Sequence, residues 1–449
     1  MSKSLGLVFR MENEGGVVAG EEVTADETLA VETAAADATA EVESATGDVT
    51  EVVTGIENAG EASAELSAVE DSLEQAVEDG DGVSPREAEH IQARLERVAT
   101  LLGTDTGAMG LTFRKESFGG QQSRLAATKM RLEFVKEWGK KIWEMIVRAW
   151  EWVKNAVTNL WGSLTKNSET LLKRLETLEK QAEEKAKSGA TASKDKIKTR
   201  AKDISVNGQF GLVSLLRNVP QYTAILEGTH ALVDPSKTDK LGDTPESLKA
   251  HAAEVTKLFD RGEKVTKLDA GAGEGAKPTI ALPGNKTVAV VPKSVSAGEN
   301  EVASFTVAVK ESGTKAMEEY PALGFDQIRE VLRLAKAGAT TLRELDKYAK
   351  ETNNIVQANI KHAQSMISNT AAIQSKGRDK ESEKAADKTS LSVIRAAHSL
   401  NVSLVDVASK NMPKAIYDAC SAAADVVAAS ISAASGGKKA DAAKAEEKK

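Results

Sequence analysis

Lys136-Glu137-Trp138-Gly139-Lys140-Lys141-Ile142-Trp143-Glu144-Met145-Ile146-Val147-Arg148-Ala149-Trp150-Glu151-Trp152-Val153-Lys154 decides the fold class of this 449-residue chain. Apolar and charged residues recur here at three- and four-residue spacing, the period of an α-helix. Turned at about 100° per residue, the eight charged residues gather on one side. Ile142, Met145, Ile146, Ala149, Val153, Ala156 and Leu160 gather on the other. All five tryptophans lie in this helix. Trp138 and Trp152 fall near one edge of the apolar face, and Trp143, Trp150 and Trp161 near the other. Three readings fit such a face. It is the core of a helical bundle, to which Trp adds area; it lies in a membrane interface; or it docks on a partner protein or its own kind. Periodicity alone does not choose among them.

The pattern extends over 117–185 as one long helix or a helix pair. Residues 186–202 read as a polar linker. Residues 203–275 are helical, with Leu212, Leu215, Leu216, Ile225 and Leu226 broken by Pro220; Thr244-Pro245-Glu246 opens a helix through Leu248, Ala252, Val255, Leu258 and Phe259. Residues 276–312 hold the only strand-like stretch, a hairpin of 279–282 and 287–291 around Pro283-Gly284-Asn285, with 305–309 as a third strand. Residues 313–435 return to helix, first through Ile328, Leu332, Ala335, Leu342 and Leu345. Val356, Ile360, Ala363 and Ile367 follow, and 389–433 form a stretch broken near Pro413. Residues 375–388 read as exposed and 436–449 as a disordered tail. The fold class is therefore mainly α: long amphipathic, coiled-coil-like helices and a bundle, with a small β insertion. No run of about 18 uncharged apolar residues calls for a membrane span, and no secretory signal is visible.

Residues 1–116 differ from the rest. Residues 11–85 carry 21 Asp and Glu and no Lys or Arg. Residues 1–116 have a net charge of −19 and the remainder +11, within a total of −8. With few large apolar residues, 11–85 reads as disordered or weakly helical, an arm without a core. A short helix is expected at 84–102, with Ser84 as cap, Pro85 at the first position, Glu87 closing a capping box, and Gly103 as stop. Gly6-Leu7-Val8-Phe9-Arg10-Met11-Glu12 matches Gly110-Leu111-Thr112-Phe113-Arg114-Lys115-Glu116 at five of seven positions, and Gly-Gly follows each copy. A repeated short motif bracketing the acidic arm suggests that something reads it.

Residue chemistry argues against an enzyme. Aromatic residues are 4% of the chain. Cys420 is the single cysteine, so neither a disulfide framework nor a cysteine-based metal site fits within one chain. Its expected role is that of a small buried hydrophobe. His90, His230, His251, His362 and His398 are widely separated and read as surface or half-buried residues. Gly271-Ala272-Gly273-Glu274-Gly275-Ala276-Lys277 lacks the ending of a phosphate loop and reads as a linker. Neither a cofactor nor a small-molecule substrate is expected. The scattered Lys and Arg of 117–449 permit weak, salt-sensitive contact with DNA phosphates, without base readout.

The acidic arm, the short motif ending in Glu116, Ser117-Phe118-Gly119-Gly120 and the Trp- and Lys-rich helix together resemble the internal head proteins of large tailed bacteriophages. The resemblance covers organisation up to about residue 165, and its motifs are short. It implies a structural virion protein in the head interior, present in the host cytoplasm during assembly. Its implied partners are a phage prohead protease, capsid or scaffold and inner-body proteins, and packaged double-stranded DNA. It further implies an N-terminal propeptide removed after a glutamate, here between Glu116 and Ser117. The family proteases commonly read a small or aliphatic residue two before the glutamate, where this chain has Arg114. Ser63-Ala64-Glu65, Ala68-Val69-Glu70 and Ser72-Leu73-Glu74, inside the arm, fit that preference better. Apart from the resemblance, the Trp helix leaves two other readings open, a membrane-associated or membrane-active helical protein and a helical adaptor.

Overall fold

The computed structural model describes residues 25–107, 109–110, 120–232, 244–260, 268–269, 273–297, 300–348, 353–361, 363–364 and 381–434. The Trp-rich stretch lies in one continuous helix. With α1 at Ala25–Glu78 and α2 at Pro85–Leu101, it is α3, Gln121–Lys187, 67 residues and about 100 Å long. The apolar side of α3 is buried from Leu132 to Ala182.

α1 corrects the expectation of a disordered arm. Its 54 residues lie along α3. Glu74 pairs with Lys136, Glu41 with Lys166 and Glu32 with Arg174, so the two helices run antiparallel. Ala38, Val42, Val49, Val53, Ile56, Ala59, Ala62, Leu66, Val69 and Leu73 of α1 are buried. The arm lacks large side chains of its own, but α3 supplies them. A row of Ala and Val at helical spacing allows close approach to the Trp, Ile and Leu of the longer helix. The ordering entropy is thus met by an interface rather than by a separate core.

α2 begins as its sequence dictates. The Ser84 hydroxyl accepts from the Glu87 N–H, and the Glu87 carboxylate accepts from the Ser84 N–H. Ile91, Leu95 and Val98 face inward, and Gly103 at φ +64° ends the helix. α2 folds back on α1, with Arg97 3.2 Å from Glu65.

Between α3 and the next helices lie three two-residue strands, β1 (Lys196–Ile197), β2 (Ser205–Val206) and β3 (Gln209–Phe210). β1 falls inside the expected linker and pairs with β7, Tyr320–Pro321. α4 (Leu212–Arg217) and α5 (Val219–Leu232) follow; Pro220 sits in the first turn of α5, where a missing N–H costs nothing. α6 (Pro245–Phe259) carries the expected Thr244 cap and buries Leu248, Ala252, Val255 and Phe259. β4 (Lys277–Leu282), β5 (Lys286–Ala297) and β6 (Asn300–Glu311) form the antiparallel sheet β4-β5-β6. Gly284 and Asn285, both at positive φ, turn the hairpin. The sheet is tied to helices by Tyr222 donating to the Ala281 carbonyl (2.7 Å) and the Val307 N–H donating to Ser403 (3.0 Å).

α7 (Phe325–Arg343), α8 (Glu381–Val405) and α9 (Met412–Ala433) complete the bundle, with α7 and α9 packed on each other and on α3. The expected break near Pro413 is a π-helical turn, Asp406–Asn411, joining α8 to α9. Pro413 has no N–H for the Ser409 carbonyl, and its ring crowds that oxygen in a regular helix. The wider turn relieves the crowding. The run Ser392–Ala433 has the length and mean hydropathy (1.2) to cross a membrane, contrary to expectation; 72% of its apolar window is buried inside the fold. The expected exposed segment 375–388 lies outside the described residues up to 380, and the tail 436–449 lies outside them entirely.

Candidate functional site

Where α1 meets the body, carboxylates from one chain segment face cations from several others. The Arg174 guanidinium binds both oxygens of Glu32 (2.8 and 2.5 Å) and reaches Asp425 of α9 at 2.8 Å. Burial pulls this guanidinium down, but the Glu32 hydrogen bond and the two negative charges outweigh it, so it is held above its ordinary value. Lys166 reaches Glu41 at 3.0 Å and, mainly by that hydrogen bond, holds its carboxyl below the usual range. Lys410 of the π turn is buried; it pairs with Asp406 at 2.5 Å and donates to Thr50 at 3.2 Å. Lys136 meets Glu74 at 3.2 Å. Burial pushes the Glu70 carboxyl up, and the Glu74 charge adds to this. α1 therefore binds through an apolar row flanked by charge pairs along most of its length.

The tryptophans divide as their edges suggested. Trp143, Trp150 and Trp161 are buried, Trp138 is half-buried, and Trp152 is exposed. Trp143 and Trp150 present edges to His398, with centroids 5.4 and 6.0 Å away. Trp161 packs against His230 and Tyr348, and its Nε1 donates to the Ser409 carbonyl at 2.7 Å. That carbonyl is the one Pro413 leaves without a helical donor. Trp138 donates to the Met109 carbonyl at 2.9 Å, and Lys141 lies 5.2 Å from its ring centroid. The histidines correct their surface reading: His230, His251 and His398 are buried. Their burial follows from aromatic packing for His230 and His398 and from the α6–α8 contact for His251. Cys420 is fully buried, and burial pushes its thiol up to about 12.

Gly6, Leu7, Phe9, Arg10 and Glu12 of the first motif copy lie outside the described residues, as do Leu111, Phe113, Arg114, Glu116 and Ser117 of the second. Gly110 is described, and its carbonyl accepts from Arg131 at 2.6 Å. On the far side, Gln121 donates to Asp81 at 2.7 Å. Both ends of the segment that holds the candidate scissile bond are thus anchored to the α1–α3 body. The docking face of α1 was missed by sequence reasoning. Its signal was the three- and four-residue spacing of Ala38, Val42, Ala45, Val49, Val53 and Ile56, hidden because the residues are small.

A family model described as phiKZ-like phage internal head proteins matches residues 26–429. The match spans α1 and the body together. No curated protein and no solved structure matches the chain.

Proposed function

The chain belongs to the phiKZ-like phage internal head proteins, structural proteins of the head interior, and from that premise we propose that it is made as a precursor whose acidic helix α1 covers the basic and aromatic body until a phage protease releases it. The observation that carries this reading is the coincidence of the charge boundary with the packing boundary. Residues 1–116 hold a net of −19, the remainder +11, and α1 lies on the apolar and cationic face of α3. Loss of the arm would leave Lys136, Lys166 and Arg174 without their α1 carboxylates. A body of net +11 with those cations free would suit a dense DNA interior, through phosphates and without base readout. The cut proposed is Glu116–Ser117. The matches inside α1 lie in helix with Ser63, Val69 and Leu73 buried, so they would open to a protease only after α1 has begun to leave.

N-terminal sequencing of the protein from mature heads tests the cut. A start at Ser117 is expected; a mature chain still continuous through 25–116 sinks the maturation reading. Protein from mature heads should also be retained on double-stranded DNA to higher salt than the precursor. Equal retention would count against the charge switch.

A further inference from the structure

Among the described residues, four large apolar side chains are exposed, and all four lie on α3: Met130 (51%), Phe134 (37%), Met145 (38%) and Trp152 (63%). At about 100° per residue they fall within about 60° of arc, in a stripe about 33 Å long. The stripe runs beside the buried face rather than through it. Phe134, Trp138, Lys141, Met145, Arg148 and Trp152 follow one another at alternating four- and three-residue steps, the seam of a two-stranded coiled coil. Glu137, Glu144 and Glu151 flank the seam on one side.

We propose that this stripe is the interface with a second copy of the chain, paired antiparallel along α3 about a two-fold axis level with residue 143. In that register the seam closes on itself. Phe134 faces the partner's Trp152, Trp138 faces the partner's Arg148, and Lys141 faces the partner's Met145, each contact occurring twice by symmetry. The Arg148–Trp138 layer is a cation–π pair. Lys141 comes beside the partner's Glu144, and Arg148 beside the partner's Glu137. Charge selects this occupant over others. A parallel pair would stack Lys141 on Lys141 and Arg148 on Arg148. A uniformly acidic partner would meet the glutamate row, and a uniformly basic one would meet Lys141 and Arg148. Only a partner of mixed charge in the complementary order fits, and the stripe itself has that order.

Sedimentation equilibrium of the full-length chain tests this, with a dimer expected at micromolar concentration. Trp152→Glu should give a monomer with unchanged far-UV circular dichroism, because the side chain is exposed. Arg148→Glu should weaken the dimer at least tenfold, and Glu137→Arg in the same chain should restore it. For register, Phe134→Cys mixed with Trp152→Cys should form a disulfide-linked dimer under mild oxidation. Trp152→Cys alone should not, since two copies of residue 152 would stand about 27 Å apart along the helices. A monomeric wild-type chain overturns the proposal, as does self-crosslinking of Trp152→Cys. So does a monomer that floats with anionic phosphatidylglycerol vesicles through Trp152, which would assign the stripe to a lipid surface.

Discussion

Pro413, Ser409 and Trp161 show how one residue's chemistry is answered by another far away in the chain. Pro413 removes a donor, the π turn carries the irregularity, and the Trp161 indole supplies the missing bond. Trp161→Phe keeps most of the ring but leaves the Ser409 carbonyl buried and unpaired. A loss of about 1–3 kcal/mol is expected, read from urea unfolding; an unchanged midpoint would remove that role. At Gly338 a Cβ would stand 2.5 Å from Cys420 Sγ. Gly338→Ala should therefore cost about 1–3 kcal/mol by overpacking, and Cys420→Ala in the same chain should recover much of it. Cys420 as a small buried residue was legible from its neighbours in sequence. The burial of His398 was not, because Trp143 and Trp150 lie some 250 positions away and only the fold brings the three rings together.

Among the elements, those whose signals are local were read correctly. Ser84-Pro85 and Thr244-Pro245 fix helix starts through caps made within four residues, and the hairpin turn is set by Gly284 and Asn285. α1 could not be read that way. Its Ala and Val residues bury little area singly, so its stability lives in contacts with α3 that no local window contains. The docking of α1 should also respond to pH in two directions. Glu41 is held low by Lys166, so its contribution is present above the ordinary carboxylate value and is lost as pH falls through its depressed one. Glu70 is pushed up by burial, so its charge opposes folding near neutrality and stability is gained as pH falls through its raised value. Thermal unfolding should thus improve slightly on mild acidification and fall in stronger acid. Glu70→Gln should flatten the mild-acid gain and leave the later loss. If the wild-type midpoint instead drops steadily from pH 7, burial does not govern Glu70.

For the whole molecule, the question is what a single cut at Glu116–Ser117 would do. α1 buries Val42, Val49, Val53, Ile56, Leu66, Val69 and Leu73. At roughly 1.5–3 kcal/mol per fully buried side chain, the apolar row alone amounts to on the order of 10 kcal/mol or more before the cost of association. Its ion pairs are surface or half-buried, so salt weakens them without touching the apolar row. Scission of the purified chain in the 111–119 segment should therefore yield two chains that co-elute on size exclusion at both low and 0.5 M salt. Denaturant should part them cooperatively. The body's positive charge would then be uncovered only by a second event, such as cuts at Glu65, Glu70 or Glu74 that divide the buried row. A fragment spanning α1 and α2 that separates after one cut in moderate salt would mean that the covalent link, rather than the interface, holds the arm. In that case the step from −19 to +11 would follow a single bond.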